Sequence, residues 1–428
     1  MIEIIKEKNK LEEFLKVLDL RSQTDKNKYF EIVQNIIEDI KKRKDEALLE
    51  YTKKFEFKNA TLNSLEVNLK DLRLAFESLD KETQEILTLA KNRIADFHQH
   101  QKQKTWLKEF RNGEKMGQKV TPLKRVGVYV PGGQASYPSS VLMNIIPAKV
   151  AGVEEIIMVT PSKDGVVSSV VLAAAYVAGA TKVFKIGGAQ AIAALAYGTA
   201  LIPKVDKIVG PGNIYVALAK RIVYGDVGID SFAGPSEILI IADETANPKY
   251  VASDLLGQAE HDELASSILL TSSPNLALDV FKEVKESYND ASRKDILEKS
   301  LRKYSKIIIV ENIKEAIDLA NEIAPEHLEL AVENPEKYLD DIKNAGAIFL
   351  GHYTPEAIGD YLAGPNHVLP TAKTAKFSSV LNVEDFVKKS SILYFTKESL
   401  NKISDKAIKF AKLEGFDMHA KSLEVRKK

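Results

Sequence analysis

The chain has 428 residues, no cysteine, and 60 basic residues against 60 acidic ones. Zero net charge argues against a polyanion partner, so no nucleic acid is expected. The missing thiols exclude disulfides, cysteine-ligated zinc, iron–sulfur clusters and a thiol nucleophile, which leaves any metal to nitrogen and oxygen ligands and any aldehyde oxidation to a route without a thiohemiacetal.

The first residues, MIEIIKEKNKLEEF, are charged throughout and contain no apolar run of the kind that directs secretion. The longest apolar stretch, near Val170–Ala180, falls well short of the ~20 residues a membrane span needs. A soluble, cytoplasmic protein with no membrane contact is expected. Up to about residue 120 the pattern is helical and polar, as in Tyr29–Thr52 and Leu79–His98. His98 and His100, in HQHQKQK, read as an exposed helix end.

From Lys124 the texture changes. RVGVYVPGG, EEIIMVTPS, TKVFKIGG, VDKIVGPG and GPSEILIIAD read as strands, and SSVVLAAAYVAGA, AQAIAALAYG and NIYVALAKRIVY as helices between them. This alternation indicates βαβ units and a parallel sheet. A second α/β stretch follows: KYVASDLLGQAEHDELA as one helix, then strand SSILLTS, helices LALDVFKEVKESY and KEAIDLANEI around strand KIIIV, and strand AGAIFLG. Beyond about Leu381 the chain turns helical and charged again.

Several features could carry chemistry. PGG (131–133), IGGAQA (186–191) and VGPGN (209–213) each lie between a strand and a helix, where backbone amides favour a phosphate. None is the full G-x-G-x-x-G fingerprint, and ordinary strand-to-helix turns, with Asn213 as an N-cap, explain them equally well. Asp254, Gln258, His261 and Ala265 follow helical spacing and would form one stripe, half of a possible metal site or a polar surface. In APEHLEL, Glu326 and His327 form an adjacent acid–imidazole pair at an expected helix start, suited to proton transfer or to plain capping. GDYLAGPNHVLPT reads as a loop carrying Asp360 and His367, and EGFDMHAKSLEVR carries Glu414 and His419.

Taken together and in order, VGVYVPGG, GGAQAIAALAYGT, DKIVGPGNIYVALAKR, AGPSEILIIAD, LLGQAEHD, APEHLEL, GDYLAGPNHVLPT and EGFDMHAKSLEVR resemble the histidinol dehydrogenase family from about residue 20 to the end. The resemblance implies a zinc- and NAD-dependent homodimer that oxidises L-histidinol to L-histidine through L-histidinaldehyde. It assigns Zn2+ to Gln258, His261, Asp360 and His419, and catalysis to Glu326 and His327. NAD contacts fall on Tyr129, Gln190 and Asn213. Substrate contacts fall on Ser236, His367 and Glu414, with His327 and the zinc ligands facing the substrate as well.

The implied fold is α/β, with two incomplete Rossmann-like domains, one of them discontinuous, and small N- and C-terminal helical segments. The boundaries expected are 1–20 for the N-terminal segment, 21–125 with 236–380 for the catalytic domain, 126–235 for the NAD domain, and 381–428 for a segment that crosses the dimer and brings Glu414 and His419 to the partner's site. The GGQASYPSS and FSSVLNVEDF stretches depart locally from the family pattern. Rival readings are a related zinc and NAD dehydrogenase of another small alcohol or sulfonated diol, a zinc hydrolase with Glu326 activating water, and a non-catalytic scaffold.

Overall fold

The computed structural model describes residues 2–21, 26–132, 136–231 and 234–427, with the backbone alone at 26–28. Gly133 of the first glycine turn and part of GGQASYPSS therefore lie outside the described residues.

The strands, in chain order, are β1 (Glu3–Ile5), β2 (Glu66–Val67), β3 (Trp106–Glu109), β4 (Lys115–Pro122), β5 (Arg125–Tyr129), β6 (Glu155–Thr160), β7 (Lys182–Lys185), β8 (Lys207–Val209), β9 (Gly228–Ile229), β10 (Glu237–Ala242), β11 (Ser266–Thr271), β12 (Lys306–Ile309), β13 (His327–Ala331), β14 (Ala347–Leu350) and β15 (Val387–Tyr394). They form two six-stranded sheets, β2-β7-β6-β5-β8-β9 and β1-β12-β11-β10-β13-β14, and a small antiparallel sheet, β15-β4-β3. Except for the antiparallel pair β2–β7, every pairing in the two large sheets is parallel. Counted from β5 in one sheet and from β10 in the other, five parallel strands run 3-2-1-4-5, the order of a doubly wound nucleotide-binding sheet, and β1 adds a sixth parallel strand to the second beside β12.

The strands form where apolar residues run nearly unbroken. EIIMVT and SSILLT are buried over almost their whole length, as a parallel sheet covered on both faces requires. The intervening helices stop at left-handed glycines, such as Gly152 (φ 95°) and Gly179 (φ 86°), which cap them and turn the chain into the next strand.

The segment boundaries differ from the sequence expectation. Helices between residues 26 and 99 cover the β5 sheet, not the β10 sheet. Val33, Ile37, Ile40 and Leu48 pack with Ile157 and Phe184 on one face, and Leu72, Leu87 and Ile94 pack with Val126 and Val128 on the other. The discontinuous element is instead the N-terminus. β1 adds to the edge of the β10 sheet beside β12, and Arg21, at the end of helix Lys8–Arg21, forms a buried ion pair with Glu237 at the start of β10. Periodicity reveals which face of a helix is apolar, but not which sheet that face will cover. The C-terminal segment likewise is not purely helical: Leu381, Val383 and Phe386 enter the β5-sheet core before β15 pairs with β4. His98 is fully buried rather than exposed. Asn366 donates to its Nε2 at 3.2 Å, and burial lowers its pKa to about 4. His100, two residues on, is exposed as expected. Among the described residues no helix is long and apolar enough to cross a membrane.

Candidate active site

Two clefts adjoin, the smaller of them lined from both sheets. One, of about 1320 Å³, lies over the carboxyl ends of β5, β6 and β7 and is lined by Tyr129, Gln190 and Asn213. The other, of about 830 Å³, is lined by Ser236, His261, Glu326, His327, Asp360 and His367. Pro131 and Asn213 line both, so the two spaces meet there. The β5 sheet faces this junction with its strand carboxyl ends, as doubly wound sheets usually do. The β10 sheet faces it with strand amino ends, because Glu237 and His327 begin β10 and β13.

The acid–imidazole pair opens a strand, not a helix. Ala324, left-handed at φ 51°, ends helix Ile313–Ile323, and Pro325 bars its continuation. Glu326 and His327 then enter the centre of the sheet, His327 paired with Ile238 and Ala347. His327 Nδ1 lies 2.9 Å from the Glu237 carbonyl, which can only accept, so Nδ1 carries the proton and Nε2 keeps its lone pair. Burial lowers the pKa of this imidazole to about 4, so it is neutral. The Glu237 amide donates to Glu326 Oε2 at 2.9 Å, fixing that carboxyl. Burial first, and then the Glu237 carboxylate, push Glu326 well above the usual carboxylate range.

The expected helical stripe is broken. The helix ends at Ala259 because Asp262 forms a turn of its own, accepting from the Leu264 amide at 2.8 Å. Gln258 is therefore buried in the helix, while His261 lies past its end on the wall of the cleft. Asp360 is not in a loop but in the short helix Glu356–Tyr361. His367 leans on it, with Nδ1 3.2 Å from the Asp360 carbonyl and 3.6 Å from its carboxylate, and meets Ser140 of the other sheet's layer at 3.5 Å.

The sequence reading missed Glu356. It sits one helical turn before Asp360, with Nδ1 of His327 3.7 Å from its carboxylate; with the Gln258 amide turned so that its nitrogen faces Glu356, that nitrogen donates to both carboxylate oxygens at 2.9 and 3.0 Å. Ligand atoms of His327, Glu356 and Asp360 all lie within 4.8 Å of one another. Behind them, Glu329 accepts from the Glu356 amide at 2.8 Å and shares a hydrogen bond with Asp254, and burial pushes the two carboxyls to about 8 and about 6. The i, i+4 spacing of Glu356 and Asp360 after Pro355 was the available signal.

In the larger cleft, Tyr129 is buried, and the Gly188 amide donates to its hydroxyl at 3.2 Å. Asn213 caps helix Ile214–Val223 by accepting from the Tyr215 and Val216 amides at 3.1 and 3.2 Å. Gly210, at φ 108°, must be glycine, because a Cβ there would lie 2.0 Å from the Tyr129 carbonyl oxygen. This turn is held from below by the buried Lys220–Asp230 pair, both of whose members bond the Gly210 backbone. Glu414 and His419 do not line either cleft. Both are exposed, at or near the start of helix Asp417–Glu424.

A sequence model described as histidinol dehydrogenase matches residues 19–427. The chain belongs to the histidinol dehydrogenase family. The histidinol dehydrogenase of Clostridium acetobutylicum is 52% identical over 416 residues, 97% of this chain and 96% of that protein. That of Aquifex aeolicus is 51% identical over 422 residues, covering 99% and 98%. The crystal structure of histidinol dehydrogenase from Elizabethkingia anophelis superposes with a TM-score of 0.89 at 39% identity, covering 92% of this chain and 91% of that one. Histidinol dehydrogenase membership makes the chain an oxidoreductase of histidine biosynthesis, and it sets aside the hydrolase and scaffold readings.

Proposed function

We propose that the chain oxidises L-histidinol to L-histidine with two NAD, through L-histidinaldehyde, in a zinc-assisted cleft shared between two copies in the cytoplasm. The observation that carries this is the junction at Pro131 and Asn213, where a nucleotide-sized cleft opens beside the Glu326–His327 pair.

The donor set suits zinc. No cysteine competes, and Gln258, His261 and Asp360 offer amide oxygen, imidazole nitrogen and carboxylate. Glu326, Glu356 and Asp360 also concentrate negative charge around one buried point, and next to burial itself the Asp360 carboxylate is the largest influence raising Glu356; a divalent cation offsets that charge. The fourth ligand, His419, would come from a second copy with Glu414. Exposed Phe410, Leu413, Phe416 and Met418 on the C-terminal helices give that copy an apolar surface to cover. When bound, zinc supplies a template for the imidazole and amino nitrogens of the substrate, and NAD supplies the hydride acceptor.

The chain's own groups handle the protons. His327 Nε2 takes the hydroxyl proton of histidinol as the first hydride leaves. Glu326 then removes a proton from water as its oxygen adds to the aldehyde carbon, while the protonated His327 returns its proton to the aldehyde oxygen, giving a hydrate and a neutral imidazole. His327 takes a hydroxyl proton of that hydrate as the second hydride leaves, and the resulting acid gives its remaining proton to solvent, so that the product is the carboxylate. Ser236 and His367 border the substrate, Glu414 reaches it from the second copy, and Tyr129, Gln190 and Asn213 contact NAD. The His327–Glu356–Asp360 triad favours a second reading in which those three hold the ion.

Zinc content separates the two. Dialysed wild type is expected to keep one zinc per chain by elemental analysis. His261→Ala is expected to lose most of it, since removing one of four ligands weakens binding steeply, by ~10-fold or more. Stoichiometric zinc in His261→Ala would overturn the ligand set.

A further inference from the structure

In doubly wound dinucleotide-binding sheets, the carboxyl end of the second strand carries an acidic side chain that receives the adenosine ribose hydroxyls. Here that strand is β6, and it runs out into Thr160, Pro161 and Ser162, none of them acidic. A carboxylate stands at that place nonetheless. Glu56, directly after helix Asp45–Phe55, accepts from the Ser162 amide at 2.9 Å, from the Ser162 hydroxyl at 3.4 Å and from the Gly187 amide. It lines the same cleft as Tyr129, Gln190 and Asn213.

The fit is close. A Cβ on Gly187 would lie 2.7 Å from Pro161 Cβ and 3.2 Å from Glu56 Oε1, so the turn approaches the carboxylate only as glycine. With Gly188 donating to Tyr129, the amides of this second glycine turn are already satisfied by protein oxygens. The turn that the sequence offered as a phosphate cradle is thus filled from within, and a carboxylate has unused lone pairs for a hydroxyl but nothing for a phosphate.

We propose that Glu56, supplied by the N-terminal helical layer, is the residue that selects NAD over NADP. Its carboxylate receives an adenosine ribose hydroxyl and keeps a 2′-phosphate from the Ser162 and Gly187 amides. The proposal rests on the NAD reading above. Lys54 and Lys163 line the same cleft and are the groups a 2′-phosphate would seek, so NADP use is the competing outcome.

The test is steady-state kinetics of the full-length protein with saturating histidinol, varying NAD or NADP. Wild type is expected to prefer NAD in kcat/KM by ~100-fold or more. In Glu56→Ala the KM for NAD is expected to rise ~10-fold with kcat and the histidinol KM nearly unchanged, and the NADP-to-NAD ratio to rise ~10-fold as the two amides are freed. Glu56→Asp is expected to recover most of the NAD preference. If Glu56→Ala folds poorly, the isosteric Glu56→Gln carries the same ratio test. Wild type using NADP as well as NAD, or an unchanged ratio in the variants, overturns the proposal. So does a fall in kcat with both cofactors alike, which marks a purely structural carboxylate. Wild type that reduces neither cofactor with histidinol refutes the underlying cofactor reading instead.

Discussion

His327→Asn is expected to lower kcat by about 10³-fold, with little change in the KM for histidinol. Asparagine can still donate to the Glu237 carbonyl that His327 Nδ1 faces at 2.9 Å, so the start of β13 keeps its anchor. What disappears is the Nε2 lone pair. That lone pair is present at neutral pH because burial favours the uncharged ring and holds its pKa at about 4. The base is thus ready throughout the working range and needs no prior deprotonation. Loss confined to kcat marks a group used in the transition state rather than in binding. Steady-state kinetics, with a melting curve to show that the fold persists, checks this. The variant should also keep its zinc. A kcat within tenfold of wild type would remove His327 from the chemistry, and loss of zinc together with activity would place His327 among the ligands beside Glu356 and Asp360.

Glu326→Gln divides the two oxidations. Glutamine keeps an oxygen to accept from the Glu237 amide, now at 2.9 Å, so the side chain's position is preserved while its basicity is lost. Burial and the neighbouring Glu237 carboxylate raise the Glu326 carboxyl well above its usual range, which makes its carboxylate a stronger base than an exposed one. Only the second oxidation needs water activated. Single-turnover oxidation of histidinaldehyde should fall by about 10² to 10⁴-fold, and that of histidinol to the aldehyde by less than ~10-fold. Equal losses in the two half-reactions would show that Glu326 is not the group that activates water.

The sequence was most legible where local rules suffice. RVGVYVPGG, EEIIMVTPS and TKVFKIGG became β5, β6 and β7 because buried parallel strands write unbroken apolar runs. Asn213 caps its helix as its position at the head of NIYVALAKR implied. Gln258, His261 and Asp360 stood out in the sequence, and the resemblance made them ligands; His261 and Asp360 line the smaller cleft and Gln258 is buried, but their local settings were misread. An Asp262 turn cut the expected helix short, and a six-residue helix formed where Gly364 and Pro365 suggested only loop. Glu356 and Glu56 escaped notice because each acts at a place set by tertiary packing. Glu56 lies 131 residues from the Gly187 amide it caps, a separation that no periodicity encodes. The same holds for the covering of the β5 sheet by residues 26–99, which depends on how two similar sheets divide the helices between them.

The measurement closest to the central claim is product stoichiometry: NADH formed and histidine released per histidinol consumed, with and without a chelator. Two NADH and one histidine per histidinol, abolished by stripping the metal and restored by zinc, is the predicted result. One NADH with the aldehyde accumulating, or full turnover by metal-free protein, would contradict it.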